Sequence, residues 1–392
     1  MFRWTITDEI RANLSRIADQ KQNILTRGVL PRRWAGRLRR EMESASVAAS
    51  TSMEGATVTS DEVRHILAGD RPSAVSKDHA QLVEGYRNAI SFAFQRADDD
   101  AFTWQTELIL GIHDRVLAGS HEAGAGSFRT GQVHVTDAEE GQLIYTPPPP
   151  EAVPELISDL AVFAKALQPS IEPPVLAALV HIRLVGILPF ADGNGRTARI
   201  LAGLAMYLGG YTTPEFTSLE EYWGAHLEDY YASFSCLGEA WDSGAEVTPF
   251  IVAHTGALRL QVDALSLRLA TAQEIWTILE DIAIEDLSGP PRFADALFDA
   301  FLGREVSNRY YRNLTDVSIA TATNDLRRLE VCGLLTAVGA GRTRTYTGTH
   351  ALMARVANLG SIEQAPVDPD IPLDRSRQAI IEGLTRRISV AE

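Results

Sequence analysis

Apolar residues along this chain recur mostly at helical intervals, and the alternation a strand needs is confined to a few short runs. Leu82, Val83, Tyr86 and Ile90, then Leu108, Ile109, Ile112 and Val116, predict helices across 78–118. The same period returns over 153–167 and 174–186, then from about 197 to 208, and further helices run to about 284. The segment up to about residue 70 also reads as helical, and in TSDE the pair Thr59 and Glu62 forms a capping box that marks a helix start. Two alternating runs, 132–136 and 142–146, flank a polar turn and predict a β-hairpin, stopped by four prolines that cannot continue a ladder.

The length, 392 residues, is enough for two or three domains. The expected division is an N-terminal helical segment 1–75, a core 76–255, a connecting helix and linker 256–287, a small domain 288–352 and a tail 353–392. Ser288-Gly-Pro-Pro-Arg292 reads as the linker, and the proline-rich, acidic stretch 364–372 as loose chain. A formal net charge of −15 argues against a whole-surface nucleic-acid or membrane binder. A local basic patch stays compatible with either. Two cysteines, Cys236 and Cys332, are too few for a disulfide framework and fit a reducing cytosol. The chain has no signal-like amino terminus and no run of the roughly 18 apolar residues that span a bilayer. The expectation is a cytoplasmic protein without membrane contact, with a homodimer left open. The arginines of LPRRWAGRLRRE (Arg32, Arg33, Arg37, Arg39, Arg40) read most simply as a solvated helix face.

The stretch ILPFADGNGRTARI, 187–200, carries the clearest chemistry. Glycines at 193 and 195 let the main chain turn sharply and approach a ligand closely. Free amides at the start of the following helix, with the positive end of its dipole, bind anions. Asn194 can add a side-chain donor. Arg196 and Arg199, three positions apart, bring guanidinium forks suited to phosphate oxygens. Asp192 is a hard oxygen ligand that can hold Mg2+ against the same phosphates. A bare DGNG would read as an ordinary helix–helix turn; both arginines together favour the anion site.

PFADGNGRTAR resembles the signature of Fic proteins, whose active members mostly transfer AMP from ATP to a protein hydroxyl. Phe190, Asp192, Gly193, Asn194, Gly195, Arg196 and Arg199 match its defining positions after the first. The preceding HIRLVGI is similar to the family's lead-in helix. FRTGQVHV…LIYTPPPP is similar to its flap hairpin, which aligns a target segment as an added strand. The resemblance covers roughly 40–255. It implies a mainly α fold, a Fic helical core with a small β-hairpin flap, followed here by a C-terminal winged-helix domain. It also implies ATP and Mg2+ as cofactors, the metal on Asp192 and the nucleotide on Gly193, Asn194, Gly195, Arg196 and Arg199. Phe190 would pack inward to fix the loop. A protein target would dock on the 132–146 flap.

The family's first motif residue, a histidine that deprotonates the attacking hydroxyl, falls on Leu188, which has no lone pair. General-base catalysis is worth roughly 10²–10⁴ in rate, so transfer should be impaired or lost. His181, seven residues earlier, is about 10 Å away along a helix at 1.5 Å per residue and takes a structural role. His134, in the flap, is a surrogate base only if its face meets the nucleotide.

Ser50, three residues, then Glu54-Gly55 resembles the family's inhibitory helix motif, whose glutamate pairs with the second motif arginine, here Arg199. A carboxylate can compete with phosphate for the same fork; taken alone, SxxxEG is an ordinary helix end. In the C-terminal part, 304–346 holds seven arginines against four acids inside an acidic protein. Arg327 and Arg328 on its third helix and Arg342 and Arg344 on a wing tip are candidate DNA contacts. The same module can equally serve only to pack or dimerise. Two functional classes follow: a self-inhibited AMP-transferase scaffold, and a nucleotide-responsive winged-helix DNA-binding regulator without catalysis. An active transferase with another base, nucleotide or group is a third, weaker reading.

Overall fold

The computed structural model describes residues 2–26, 32–67, 69, 71–118, 124–136, 142–212, 219–341, 344–362, 365–368 and 370–391, leaving the side chains of 25–41 outside that description. Arg342 and the side chains of the LPRRWAGRLRRE arginines therefore lie outside the described residues. The chain divides into two compact units, Met1–Asp263 and Ala264–Glu392. The division falls within one long helix, whereas the Ser288–Arg292 turn proposed as a linker lies inside the second unit.

The first unit comprises α1 (Asp8–Thr26), α2 (Arg32–Ser52), α3 (Ser60–Leu67), α4 (Lys77–Ala97) and α5 (Thr106–Val116), then β1 (Val135–Thr136) and β2 (Leu143–Tyr145). These are followed by α6 (Val153–Leu167), α7 (Pro173–Ile187), α8 (Asn194–Leu208), α9 (Glu220–Ala225), α10 (Leu227–Ala232) and α11 (Thr248–Asp281), the last crossing into the second unit. The capping box forms as the sequence implies. Thr59 N donates to Glu62 Oε2 at 2.8 Å and Glu62 N donates to Thr59 Oγ1 at 3.2 Å.

Helix α7 is the axis of this unit. PPVLAALVHIRLVGI is apolar apart from His181 and Arg183, and all its residues from Pro174 to Ile187 are buried except the half-buried Val185. A helix without a polar face belongs inside a larger helical body. Each fully buried Val, Leu or Ile contributes roughly 1.5–3 kcal/mol. Helix α8, buried from Arg196 to Met206, packs beside it. The loop 188–193 joins the two, so the glycine-rich segment is held between two largely buried helices. β1 and β2 pair antiparallel, Val135 with Tyr145 and Thr136 with Leu143.

The second unit holds α12 (Phe293–Phe301), β3 (Val306–Ser307), α13 (Asn308–Thr315), α14 (Ile319–Val331), β4 (Leu335–Val338), β5 (Thr345–Gly348), α15 (His350–Leu359) and α16 (Leu373–Ala391). Its three strands form an antiparallel sheet in the order β3–β5–β4. Much of the region set apart as a tail is helical: Ile380 and Leu384 of α16 are fully buried, an apolar pair four residues apart that the proline-rich stretch before it obscures. Among the described residues no helix is long and apolar enough to cross a membrane. Cys236 and Cys332 are free thiols.

Candidate functional site

Helix α7 stops at Leu188, which takes the left-handed conformation (φ 44°, ψ 64°) while its amide still donates to Leu184 O at 2.9 Å. A branched side chain pays for that conformation with strain. It is held there from outside, because Arg129 Nε donates to Leu188 O at 2.8 Å and Arg129 N to Pro189 O at 2.9 Å. The same guanidinium donates to Gly131 O at 3.0 Å and to Pro148 O at 2.5 Å. Arg129 thus ties the motif loop to both ends of the hairpin. It stands in the quoted FRTG segment, yet nothing in the spacing singled it out.

Phe190 is fully buried and stacks on the His113 ring, centroids 3.6 Å apart and planes 4° from parallel. His113 accepts from Gly126 N at Nδ1 (3.2 Å), so its proton sits on Nε2, which donates to Asp192 O at 3.0 Å. Burial holds His113 below the usual histidine range, consistent with that neutral tautomer. Asn194 closes the loop from within: Phe190 N donates to its Oδ1 at 3.0 Å and its Nδ2 donates to Phe190 O at 2.9 Å. Its side chain therefore shapes the cradle with Oδ1 and one of the two Nδ2 hydrogens.

The turn ends at Gly193, φ 75°, where a Cβ would stand 3.1 Å from Val116 Cγ1. Helix α8 then starts at Asn194, three residues before the expected Thr197, because the left-handed glycine serves as its N-cap. The first amides of a helix have no intrahelical acceptor and present partial positive charge. Asp192 Oδ1 accepts from Gly193 N at 2.6 Å and its Oδ2 lies 3.1 Å from Arg196 Nη2. Asp192 remains exposed, whereas Arg196 is buried with Nη1 3.5 Å from Val116 O.

Arg199 is buried on a different side of the helix start, toward α2. Its Nε donates to Ser50 Oγ at 3.0 Å, Nη2 to Ser50 O at 3.1 Å and to Glu54 Oε1 at 2.9 Å, and Nη1 to Tyr230 OH at 3.3 Å. Burial works against the charge of Arg199, but the surrounding Tyr230, Glu54 and Tyr86 oxygens outweigh it and hold the guanidinium protonated. The Glu54 carboxylate lies against the helix start. A Cβ on Gly195 would sit 2.7 Å from Glu54 Oε1, so the glycine leaves room for this approach. Ser50, Glu54 and Arg199 are thus brought together.

Beside this pair opens a cleft of about 780 Å³, within the range of small-molecule sites. Its lining includes Glu54, Gly195, Arg199, Leu188, Val135 of β1 and Ile144 of β2. His134 is exposed on the hairpin. His181 is buried, its Nε2 3.1 Å from Tyr230 OH, and burial holds it well below the usual histidine range. Among the described residues no group of three or more His, Cys, Asp or Glu side chains is arranged to hold a metal ion. A divalent ion here would rest on Asp192 and on its ligand's own oxygens, the pattern Mg2+ favours.

In the second unit the candidate DNA contacts separate. Arg327 is exposed. Arg328 Nη2 donates to Leu287 O at 2.5 Å, and Arg344 Nη2 is held by both oxygens of Glu330 at 2.9 and 2.7 Å.

Residues 103–206 match the Fic/DOC family model. The matched segment, which holds the motif loop, is of the Fic/DOC kind. The chain is 31% identical over 165 residues to the protein adenylyltransferase Fic of Nematostella vectensis, covering 41% of this chain. It is 32% identical over 200 residues to the protein adenylyltransferase fic-1 of Caenorhabditis elegans, covering 49% of this chain. Each match spans 37% of the relative's own length. Among solved structures, a Fic family protein from Desulfovibrio desulfuricans matches with a TM-score of 0.59 and 26% identity, over 88% of this chain and 97% of that one. Fic-1 from C. elegans matches with a TM-score of 0.53 and 26% identity, over 65% and 71%.

Proposed function

We propose that this chain is a self-braked Mg-ATP-binding protein of the AMP-transferase kind, with transfer impaired or lost because Leu188 stands at the base position. The observation that carries this reading is the 2.9 Å Glu54–Arg199 pair lying against Gly195. An anion seat built from the start of α8 and a guanidinium already holds a carboxylate of the chain itself. A phosphate group would meet the same charge and the same donors, so Glu54 and a nucleotide exclude each other there.

The amides at the start of α8, with Arg196 and Arg199, would bind the phosphates, and Asp192 would hold Mg2+. Bound Mg-ATP supplies the AMP group and a metal that neutralises phosphate charge. The exposed edge of β2 would receive the target segment. A hydroxyl entering there needs a proton acceptor, and the side chain at 188 is hydrocarbon. His113 has both ring nitrogens engaged, and His181 is turned to Tyr230. Neither replaces the missing base.

Labelled ATP tests the reading. The Glu54→Gly, Leu188→His double variant should label itself or a supplied target at least about 10²-fold faster than Glu54→Gly alone. Histidine is among the residues that tolerate a positive φ, so the exchange suits the backbone at 188. No label in either variant would remove the transferase reading; equal label in both would show that Leu188 is not limiting.

The order helix, strand, helix, helix, strand, strand in the second unit supports its reading as a winged helix. As a DNA-binding regulator it would use the exposed Arg327 and Arg328, since Arg344 is paired with Glu330 within the unit and Arg342 lies outside the described residues.

A further inference from the structure

The brake helix α2 is fastened at a second point, away from Arg199. Glu220, on the short helix α9, is a buried carboxylate with 4% of its surface exposed. Tyr86 of α4 donates its hydroxyl to Glu220 Oε1 at 2.6 Å, and Ser46 of α2 donates to Glu220 Oε2 at 3.2 Å. Three helices that are separate in sequence thus converge on one acid. A carboxylate removed from water is costly unless its oxygens are met by donors, and each donor lost leaves the charge less compensated. The Tyr86 hydroxyl is fully buried, and the nearby Glu220 charge adds to the burial that keeps it protonated and donating.

Ser46 lies one helical turn before Ser50 on α2, and Ser50 supplies two of the acceptors on Arg199. Residues four apart share a helix face. One face of α2 therefore carries both attachments, Ser46 to Glu220 and Ser50 to Arg199, and Glu54 follows in the turn just past the end of the helix. Arg199 and Glu220 also line the same small cavity of about 20 Å³, with His181, Trp223 and His254. The attachment at Ser46 constrains how far the Glu54 end can lift.

We propose that Glu220 is a positioning residue for the brake: it holds α2 so that Glu54 meets Arg199, and loosening it frees the anion seat. This rests on the reading that Glu54 competes with nucleotide. Helix α2 then has a seated and a lifted state, and apparent nucleotide affinity scales with the lifted fraction. Weakening the seated state raises that fraction without touching the seat.

The test measures binding of a non-hydrolysable ATP analogue with magnesium to the full chain and to Glu220→Gln, Glu54→Gly and the two combined. Glu220→Gln should tighten binding by roughly tenfold, equivalent to about 1.4 kcal/mol. In the Glu54→Gly background the same change should have less than about a twofold effect, since no brake remains to position. Ser46→Ala, which cuts the α2 attachment and leaves Tyr86 on Glu220, should tighten binding in the same direction, and it carries the test if Glu220→Gln does not fold. A purely structural role for Glu220 would lower thermal stability and leave affinity unchanged, overturning the proposal. Tightening of equal size with and without Glu54 would also overturn it, because it would mean direct repulsion of the ligand by Glu220. If Glu54→Gly itself leaves affinity unchanged, the competition reading fails; if it tightens binding while Glu220→Gln and Ser46→Ala do not, the positioning role alone fails.

Discussion

Removing the Arg129 side chain should unfasten the hairpin from the motif loop, and the cost follows from three carbonyls. The Pro148 carbonyl bond is buried, so leaving it without a donor costs about 2 kcal/mol. The bonds to Leu188 O and Gly131 O are only partly buried, and those oxygens can recover water at about 0.5–1 kcal/mol each. Arg129→Ala should therefore destabilise the first unit by about 3–4 kcal/mol, a fall in Tm of about 6–15 °C for a unit of this size. Arg129→Lys separates charge from geometry. An ammonium keeps the charge but lacks the fork, and should recover at most one of the three bonds. Thermal unfolding gives the stability change, and hydrogen exchange at Val135 and Tyr145 reports the hairpin directly. A Tm within about 2 °C of the parent, or full recovery by lysine, would refute the reasoning.

Three further outcomes are expected. Burial pushes His254 down to about 3 and holds His181 well below its usual range, while the unfolded chain takes up a proton on each near 6.5. Stability is therefore complete above about pH 6.5 and falls as pH drops below it, by up to about 1.4 kcal/mol per pH unit for each histidine. Denaturant titrations between pH 7 and 4 should show His254→Phe losing one such slope. Asn194→Ala breaks both bonds that close the loop on Phe190, and should weaken Mg-ATP binding by at least about tenfold with a Tm loss of a few degrees; unchanged affinity would mean the cradle does not need that closure. In a salt titration of DNA binding, Arg327→Ala should lower the slope by about one unit if the second unit contacts phosphate. No shift at low salt in the parent removes the regulator reading.

The site was legible where its chemistry is local in sequence. The run from Leu188 to Arg199 contains its own turn, cap, candidate metal ligand and cations, and Ser50 and Glu54 stand four residues apart. Its supporting residues were not legible, because Arg129, His113, Tyr86, Glu220 and Tyr230 are scattered singly and meet only after α4, α5, α9 and α10 pack around α7 and α8. Asn194 illustrates the limit within a motif: that its side chain bonds both main-chain groups of Phe190 and closes the loop appears only in the structure. The start of α8 was placed late because a left-handed Gly193 caps the helix from inside the glycine run. The second unit shows the same pattern. Its first three helices and the β4–β5 hairpin follow from periodicity, but β3 and the last two helices do not, and the pairing of Arg344 with Glu330 and of Arg328 with a carbonyl depends on tertiary contact. The division within α11 leaves no mark in composition, since the helix passes through it unbroken.

Titration calorimetry with Mg-ATP on the parent and on Glu54→Gly tests most directly whether the start of α8 and Arg199 form a phosphate seat occupied by the chain's own carboxylate. The account predicts binding to Glu54→Gly that is at least about tenfold tighter than to the parent, a difference of about 1.4 kcal/mol or more. Equal affinity in the two proteins, or no heat of binding to folded Glu54→Gly at millimolar nucleotide, would contradict it.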